Sequence, residues 1–286
     1  NKVDSGNLLQ HKFHFIQSIR NFFLERNFID VITPTIVQCP GIEPHLHPFS
    51  VVGAESPAMF LQTSPEFHMK ELLSLGMENI FTICSSFRDE PKSDIHRPEF
   101  LMLEWYRTES HYKKIMEDSQ SLINHLIDKM ESQQVVVNQS LKNSSFQTYS
   151  VAEIFQEFLN FNLFDFLDSN ELHQKIKLDF KDIPASSEKL DWDDLFFLLF
   201  LNKIEPKLNK IPKLIIKEYP ASQAALATIK ESDPRVCERF EIYLNGVEVG
   251  NCFNELRDLN TQKQRYQEYQ QQRKSLYGKE IPEPTI

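Results

Sequence analysis

The spacing of apolar side chains predicts where helices begin and end along this chain. Residues 8–26 place apolar side chains at helical intervals, and the next residues form a short apolar run that must stop, or lie at a sheet edge, at Pro34. Residues 65–76 also read as a helix, 111–131 form an amphipathic helix, 150–204 are mostly helical, and 258–278 form a further helix. The chain therefore begins with a long helix, a strand and a proline, and it ends in a very polar helix.

Between these helices, alternating or continuous apolar runs predict strands. Residues 79–106 read as two strands joined by a charged loop, and the second strand carries large side chains on both of its faces. Further strands are predicted at 214–220, 239–246 and 247–253, the last two joined by Asn245-Gly246, a strong hairpin signal. The polar stretch 132–147 predicts a hairpin or a loop.

The composition excludes several classes of function. Only seven of the 286 residues are glycine, and their positions allow neither the dinucleotide-binding motif G-x-G-x-x-G nor the phosphate-binding P-loop. Acidic residues outnumber basic ones by 41 to 31, which argues against a broad nucleic-acid surface. No apolar run is long enough to span a membrane, and the first residues lack a signal-peptide pattern. We therefore expect a cytoplasmic protein without a membrane partner.

Two groups of polar residues have simple and functional interpretations. His45 and His47 share one face of any extended segment, but a third metal ligand is not evident. Asp191, Asp193 and Asp194 suggest a metal cluster, although helix capping explains them more simply. The four cysteines contain no C-x-x-C pair, which favours a reducing compartment over a disulfide scaffold.

Glu104 and Tyr106 form the first candidate group of binding residues. They lie two apart on a predicted strand, so both project from the face that also carries Phe100 and Met102. A carboxylate on an apolar face needs a cation as its partner. Two interpretations remain open: a bound ammonium group, or an internal ion pair, for example with Arg88.

Glu241 and Glu248 form the second group. The Asn245-Gly246 hairpin brings them onto neighbouring strands, where two carboxylates repel unless a divalent cation lies between them. Beyond the turn, the alternation continues with Asn251, Phe253 and Glu255 at every second position, so polar side chains and an aromatic ring share one face. An exposed strand face explains the same pattern, so both interpretations remain open here.

Several segments taken together resemble a known family. FRDE (87–90), HRPEF (96–100) and LEWY (103–106) resemble motif 2 of class II aminoacyl-tRNA synthetases, and the helix, strand and Pro34 resemble motif 1. Segments 63–70 and 238–256 resemble the lysyl-tRNA synthetase catalytic domain. YPASQAALA at 219–227 resembles the family of elongation factor P–(R)-β-lysine ligases. The resemblance implies an α+β fold with an antiparallel sheet flanked by helices.

The resemblance also implies a binding site for ATP and Mg²⁺. Arg88 would be the catalytic residue, holding the α-phosphate and the substrate carboxylate. Glu90 would accept a hydrogen bond from the adenine amino group, and Phe100 would stack on the ring. His96 would contact the outer phosphates. The metal would lie between Glu241 and Glu248.

The amino-acid substrate is assigned to residues in the same way. Glu66 would bind the amino group near the substrate carboxylate, and Asn251 would bind the carboxylate itself. The other residues implied to bind the substrate are Phe253 and, around the distal ammonium, Glu104, Tyr106 and Glu255.

The implied activity is that of an AMP-forming, ATP-dependent ligase. It would activate (R)-β-lysine or lysine as an adenylate and transfer it to a lysine side chain of elongation factor P. Motif 1 implies a homodimer, and tRNA is an improbable partner at a net charge of −10. Two alternatives stay open: a paralogue that charges tRNA, and an inactive paralogue that acts as a binding module.

The sequence departs from the family pattern at two places. Cys252 stands where the family has glycine, and its side chain either narrows the pocket or lies behind the sheet. Motif 3, which ends in an arginine that holds the γ-phosphate, is absent before Ile286. We expect residues 1–286 to be one catalytic domain without an N-terminal anticodon-binding domain, and the sequence to be cut short before motif 3.

Overall fold

The computed structural model describes residues 5–53, 58–91, 96–183, 190–280 and 282. Parts of two predicted segments, the charged loop at 91–97 and the end of the chain at 280–286, lie outside the described residues. The described helices are α1 Ser5–Leu24, α2 Glu66–Ser74, α3 Tyr112–Ser132, α4 Gln139–Asn143, α5 Val151–Leu159, α6 Ser169–Asp179, α7 Trp192–Leu199, α8 Glu205–Leu208 and α9 Leu259–Tyr277. The strands are β1 Ile29–Asp30, β2 Ile36–Val37, β3 Ser50–Val51, β4 Met59–Leu61, β5 Asn79–Phe87, β6 Glu99–Arg107, β7 Gln147–Ser150, β8 Lys213–Lys217, β9 Arg239–Leu244 and β10 Val247–Phe253.

The chain folds into two compact units. The first comprises Asn1–Ser110 and Asp258–Ile286, and the second comprises His111–Arg257. The first unit holds two three-stranded sheets, of order β1-β5-β6 and β2-β4-β3. The second holds one four-stranded sheet, of order β10-β9-β8-β7. The mixture of helices and sheets confirms the predicted α+β class.

Aromatic packing covers one face of the β5–β6 pair in the first unit. The Phe23 ring of α1 is fully buried and stacks on Phe81 at 4.8 Å between ring centroids. It also contacts Phe28 at 5.0 Å and Trp105 at 5.3 Å. Phe81 and Trp105 are direct partners across the two strands, so they occupy one face. Alternation leaves the opposite face of β6 for Phe100 and the residues that follow it at every second position.

The second unit is built around a sheet with one parallel and two antiparallel pairings. The parallel pair joins β7 to β8, while β8, β9 and β10 run antiparallel. The β9–β10 turn has positive φ angles of 48° at Asn245 and 82° at Gly246, as the hairpin signal predicts. Helices α5 and α7 bury Ile154, Phe155 and Phe196 in its core.

Most predicted elements are confirmed, with three differences. The helices at both ends of the chain and the two strands of 79–106 form close to their predicted bounds. The prediction of a hairpin or loop over 132–147 is incomplete, since α4 begins there with the Asn138 side chain accepting from the Ser140 N–H. The first strand shrinks to β1, and it pairs with β5 in parallel. Antiparallel pairing, as predicted, joins β5 to β6 and β8, β9 and β10 to one another, while the described strands also include two parallel pairings, β1 with β5 and β7 with β8.

Two of the three aspartates at the start of α7, Asp191 and Asp194, form a helix cap, which agrees with the simpler interpretation. Asp191 accepts from the Asp194 backbone N–H, and the Asp194 side chain accepts from the Asp191 N–H, forming a capping box. Asp193 accepts a hydrogen bond from the Ser222 hydroxyl. Among the residues described, no three acidic, histidine or cysteine side chains are grouped to hold a metal ion.

The sequence-based expectations about the cysteines and about membrane-spanning segments can be compared with the structure. All four cysteines are free thiols. Across the described ranges, no helix combines the length and the apolar character needed to cross a membrane.

A second capping box, at the start of α5, predicts a pH-dependent contribution to stability. The Ser150 backbone N–H donates to Glu153 Oε2 at 2.6 Å, and this hydrogen bond lowers the pKa of the Glu153 carboxyl. A lowered native pKa stabilises the fold above the unfolded pKa of about 4.3, and the contribution disappears as the pH falls. We expect Glu153→Gln to cost about 0.5–1 kcal/mol at pH 7, at the low end because Glu153 is solvent-exposed.

Urea unfolding of Glu153→Gln and the wild-type protein at pH 7 and pH 3 measures this difference. The gap should be smaller at pH 3 than at pH 7, because the wild-type carboxylate is progressively protonated as the pH falls through its lowered pKa. A gap of the same size at both pH values would contradict the assignment.

Candidate functional site

Arg88 lies directly after the last residue of β5. Its Nε donates to the Thr63 carbonyl oxygen at 3.4 Å, and its guanidinium carbon lies 5.3 Å from the centroid of the Phe100 ring. The Arg88 backbone N–H also donates to the Pro98 carbonyl at 3.0 Å. These contacts hold a cation beside an aromatic ring at one end of the β5–β6 pair. An arginine fork binds carboxylate or phosphate oxygens with two parallel hydrogen bonds.

Glu66 reaches the same end of the sheet from α2, where it is the first helical residue. The preceding strand segment is held against β5, because the Phe87 N–H donates to the Gln62 carbonyl at 3.0 Å. The Glu66 carboxylate accepts from Lys70 Nζ at 2.6 Å, one helical turn further on. A carboxylate in the first turn is also favoured by the helix dipole. Glu66 is therefore an anion whose carboxylate is oriented by Lys70.

Glu43 is a member of this group that the sequence pattern did not reveal. Burial raises the pKa of its carboxyl, the nearby Glu66 carboxylate raises it further, and Arg88 partly offsets both effects. Gly41 approaches it so closely that a Cβ there would lie 2.8 Å from Glu43 Oε2. Glu43 belongs to a proline- and histidine-rich loop with no periodic pattern. The close approach of Gly41 to the Glu43 carboxylate can be seen only once the loop is folded, so the sequence alone did not indicate it.

Glu104 and Tyr106 share one face of β6, as their spacing predicts. The Tyr106 hydroxyl donates to Glu104 Oε2 at 3.1 Å. The Tyr106 ring packs against the core residues Met69 and Ile80, and this packing holds the phenol in place. Cross-strand pairing places Glu104 opposite the buried Thr82. The pair presents a carboxylate and a phenol oxygen on a partly buried surface, which suits an ammonium group.

The two remaining predicted residues of the first unit lie close to Arg88 and β6 along the chain. Glu90 lies two residues beyond Arg88 and is partly buried. His96 is exposed, just before the start of β6. The structure places Arg88 beside Phe100, and Glu66 and Arg88 both act electrostatically on Glu43.

Glu241 is the centre of a buried hydrogen-bond network in the second unit. Its side chain is only 6% exposed, and its Oε2 accepts hydrogen bonds from the hydroxyls of Tyr219 and Tyr243, each at 2.5 Å. Its Oε1 accepts from Arg239 Nη2 at 2.6 Å. Burial, and then the Glu241 charge, raise the pKa of both phenols. Both therefore remain protonated hydrogen-bond donors at neutral pH.

Glu248 and Asn251 share the face of Glu241, as the hairpin pattern predicts. Asn251 lies directly opposite Glu241, and Glu248 lies opposite Tyr243, two pairs further toward the turn. A bulge between Glu248 and Gly250 keeps both side chains on this face. Glu248 and Asn251 are exposed while Glu241 is buried, so this face carries the buried carboxylate of Glu241 and the exposed carboxylate of Glu248.

The donor set of this face is compatible with a divalent cation. Two carboxylates and an amide oxygen are the oxygen ligands that Mg²⁺ prefers. A carboxylate offers roughly four lone pairs, and protein donors occupy two on Glu241 Oε2 and one on Oε1. Counting the contacts of the described residues, one lone pair of Glu241 Oε1 thus remains.

The YPASQAALA segment packs along the edge of this same group. Arg239 Nη1 donates to the Gln223 carbonyl at 2.8 Å, and the Arg239 guanidinium lies 5.5 Å from the Phe253 ring. Glu255 pairs with Ala227 in an isolated β-bridge. Glu255, Phe253 and Asn251 are therefore linked to the network of Glu241 through backbone contacts and one arginine.

Cys252 lies behind the sheet, away from the face of Asn251 and Phe253. It pairs with the buried Phe240 and packs into the cluster formed with Ile215 and Ile242. Burial raises the pKa of its thiol well above the ordinary value, with the Glu255 charge adding to the effect. Of the two interpretations of this departure, the one in which Cys252 narrows the pocket is wrong.

His45 and His47 have an aromatic partner. His45 Nδ1 lies 3.2 Å from the Tyr277 hydroxyl, and the His47 ring packs edge-on against the Tyr277 ring at 4.7 Å. Their loop is fixed by Arg273, whose Nη1 donates to the carbonyls of Pro44 and Leu46, each at 2.8 Å. These contacts give both histidines a packing role in the loop that carries Glu43.

The fold and these two groups of residues define the class of protein. Residues 2–281 match the family described as tRNA synthetases class II (D, K and N), and the chain belongs to that family. This confirms the resemblance found in motifs 1 and 2.

Among individual proteins, the chain is similar to ligases of one kind. It is 38% identical over 269 residues to the elongation factor P–(R)-β-lysine ligase of Edwardsiella ictaluri, covering 92% of this chain and 77% of that protein. It is 39% identical over 256 residues to the ligases of the same name from Salmonella arizonae and Salmonella paratyphi B. Those two matches each cover 87% of this chain and 74% of the relative.

Proposed function

We propose that this protein is an ATP-dependent ligase that activates (R)-β-lysine and joins it to a lysine side chain of elongation factor P. The observation that carries the proposal is the Arg88 guanidinium 5.3 Å from the Phe100 ring, together with Glu66, which like Arg88 acts electrostatically on Glu43. These residues offer one partner each for a phosphate, an adenine ring and an amino group. The names of the relatives supply the substrate and the acceptor.

In the first step the substrate carboxylate attacks the α-phosphorus of ATP, forming an aminoacyl-adenylate and releasing pyrophosphate. The attacking group is already an anion, so no side chain has to remove a proton from it. Arg88 would hold the carboxylate and the α-phosphate together and neutralise the charge that develops between them. Phe100 would stack on adenine, Glu90 would accept from its amino group, and His96 would contact the outer phosphates.

Glu241 and Glu248 would hold Mg²⁺, and the support is the remaining lone pair on Glu241 Oε1 next to an accessible carboxylate. When bound, Mg²⁺ would neutralise phosphate charge. The chain's own contribution is a carboxylate of fixed orientation, because three protein donors already hold Glu241.

The substrate carries two ammonium groups and one carboxylate, and the proposed residues supply a partner for each. Glu66 would bind the amino group near the carboxylate, and Asn251 the carboxylate. Glu104, Tyr106 and Glu255 would surround the distal ammonium, with Phe253 against its alkyl chain. The Tyr106–Glu104 hydrogen bond would orient the carboxylate for this task.

In the second step the acceptor amine attacks the carbonyl carbon of the adenylate. A C–N bond forms, the C–O bond to AMP breaks, and the amine loses its proton.

We further propose that the protein is a homodimer built on α1, because the exposed side chains of Leu9 and Phe13 leave apolar surface for a partner. We also propose a cytoplasmic location.

Amino-acid-dependent pyrophosphate exchange tests the first step on the protein with its natural termini. We expect exchange with (R)-β-lysine, weaker exchange with lysine, and no charging of tRNA with either. Exchange with lysine followed by charging of tRNA would instead identify a tRNA synthetase. Absence of exchange with both amino acids would contradict the proposed enzyme and favour an inactive binding module.

A further inference from the structure

Two phenols donate to the same oxygen of a buried carboxylate in the second unit. Tyr219, two residues beyond β8, and Tyr243, on β9, each donate to Glu241 Oε2 at 2.5 Å. All three side chains are buried, at 4%, 3% and 6% exposure respectively. A carboxylate oxygen has two lone pairs, so these two donors fill the hydrogen-bonding capacity of Oε2.

Among the described residues, one donor holds the other oxygen. Arg239 Nη2 lies 2.6 Å from Glu241 Oε1, and the Arg239 guanidinium also lies 4.8 Å from the Tyr219 ring. Arg239 Nη1 is in turn fixed by the Gln223 carbonyl. The carboxylate therefore cannot rotate without breaking three hydrogen bonds, and Oε1 alone has a lone pair to offer.

We propose that Tyr219 and Tyr243 are positioning residues that make Glu241 a single-oxygen ligand for a divalent cation. The phenols exclude Oε2 from the metal and direct coordination to Oε1. This inference rests on the proposed function, in that it takes Glu241 to be a metal ligand. It adds a role for the first residue of YPASQAALA, to which the resemblance assigned none.

The consequence is a preference between cations. Mg²⁺ is small, requires near-octahedral geometry and is bound through few carboxylate oxygens. Ca²⁺ takes six to eight oxygens and readily uses both oxygens of one carboxylate. A glutamate restricted to one oxygen therefore favours Mg²⁺ over Ca²⁺, and removing a phenol makes the second oxygen accessible to the larger ion.

The test measures binding of an ATP analogue with a methylene bridge between the α- and β-phosphorus, which cannot transfer its adenylyl group to the amino acid. Calorimetry gives its dissociation constant with the natural-length protein in saturating Mg²⁺, in saturating Ca²⁺ and in EDTA. We expect Tyr219→Phe and Tyr243→Phe each to weaken binding roughly 3–10-fold in Mg²⁺. Binding in EDTA should be unchanged, and the ratio of Ca²⁺ to Mg²⁺ affinity should rise.

Two controls make the outcomes distinct. Tyr149→Phe removes a phenol from the same sheet, where the hydroxyl donates only to Gln147 Oε1 at 3.3 Å, and should change none of the three constants. Glu241→Gln should abolish the difference between Mg²⁺ and EDTA. If it does not, Glu241 is not a metal ligand and the metal assignment of the proposed function fails.

Two results would overturn the positioning role while leaving Glu241 as a ligand. One is a Tyr219→Phe protein with wild-type constants in all three conditions. The other is equal weakening in Mg²⁺, Ca²⁺ and EDTA, which would mean that the phenol only supports the local fold.

Discussion

Replacing Arg88 with alanine should lower kcat/KM for amino-acid-dependent pyrophosphate exchange by about 10²–10³-fold. The guanidinium lies beside Phe100 and is held by the Thr63 carbonyl, so it is fixed before substrate binds. A cation fixed at the point where charge develops stabilises the transition state more than the ground state. Most of the loss should therefore appear in kcat.

Arg26 provides a matched control in the same unit. Its guanidinium lies 3.6 Å from the Phe22 ring and donates to the Phe22 carbonyl at 2.9 Å, so it repeats the stacking and the backbone contact of Arg88. Arg26→Ala should leave exchange within about twofold of wild type, since surface contacts of this kind contribute little. Equal losses in the two variants would show that Arg88 acts through the fold.

Replacing Glu255 with glutamine should raise the KM for the amino acid by roughly 30–1000-fold, corresponding to about 2–4 kcal/mol. The partly buried Glu255 side chain would lose the charge that pairs with the distal ammonium of the substrate. The amide keeps nearly the same shape, so the pairing of Glu255 with Ala227 should survive.

The exposed Glu231 in the same unit is the control for charge alone. Glu231→Gln removes one negative charge without touching the proposed pocket, and its KM should stay at the wild-type value. A wild-type KM in Glu255→Gln would show that Glu255 does not bind the ammonium.

Local patterns predicted the parts of the fold that depend on neighbours in sequence. The Asn245-Gly246 turn adopts the positive φ angles that its residues favour, and the alternation on β6 placed Glu104 and Tyr106 together. Capping explained the aspartates at α7 for the same reason. In each case the deciding contacts lie within a few residues.

Such local patterns could not predict the contacts between segments that are far apart in the sequence. Tyr219 and Glu241 are 22 residues apart, and only the pairing of β8 with β9 brings them together. Glu43 reaches Glu66 and Arg88 through a loop without periodicity. The parallel pairing of β1 with β5 rests on a strand of two residues, too short to leave a pattern.

The proposed activity meets its most direct test in the intact mass of elongation factor P. The acceptor is incubated with ATP, Mg²⁺, (R)-β-lysine and the protein with its natural termini. We expect a gain of one β-lysyl residue, absent without ATP and strongly reduced with Arg88→Ala. An unchanged mass, under conditions where the protein is folded and binds ATP, would contradict the proposed ligase.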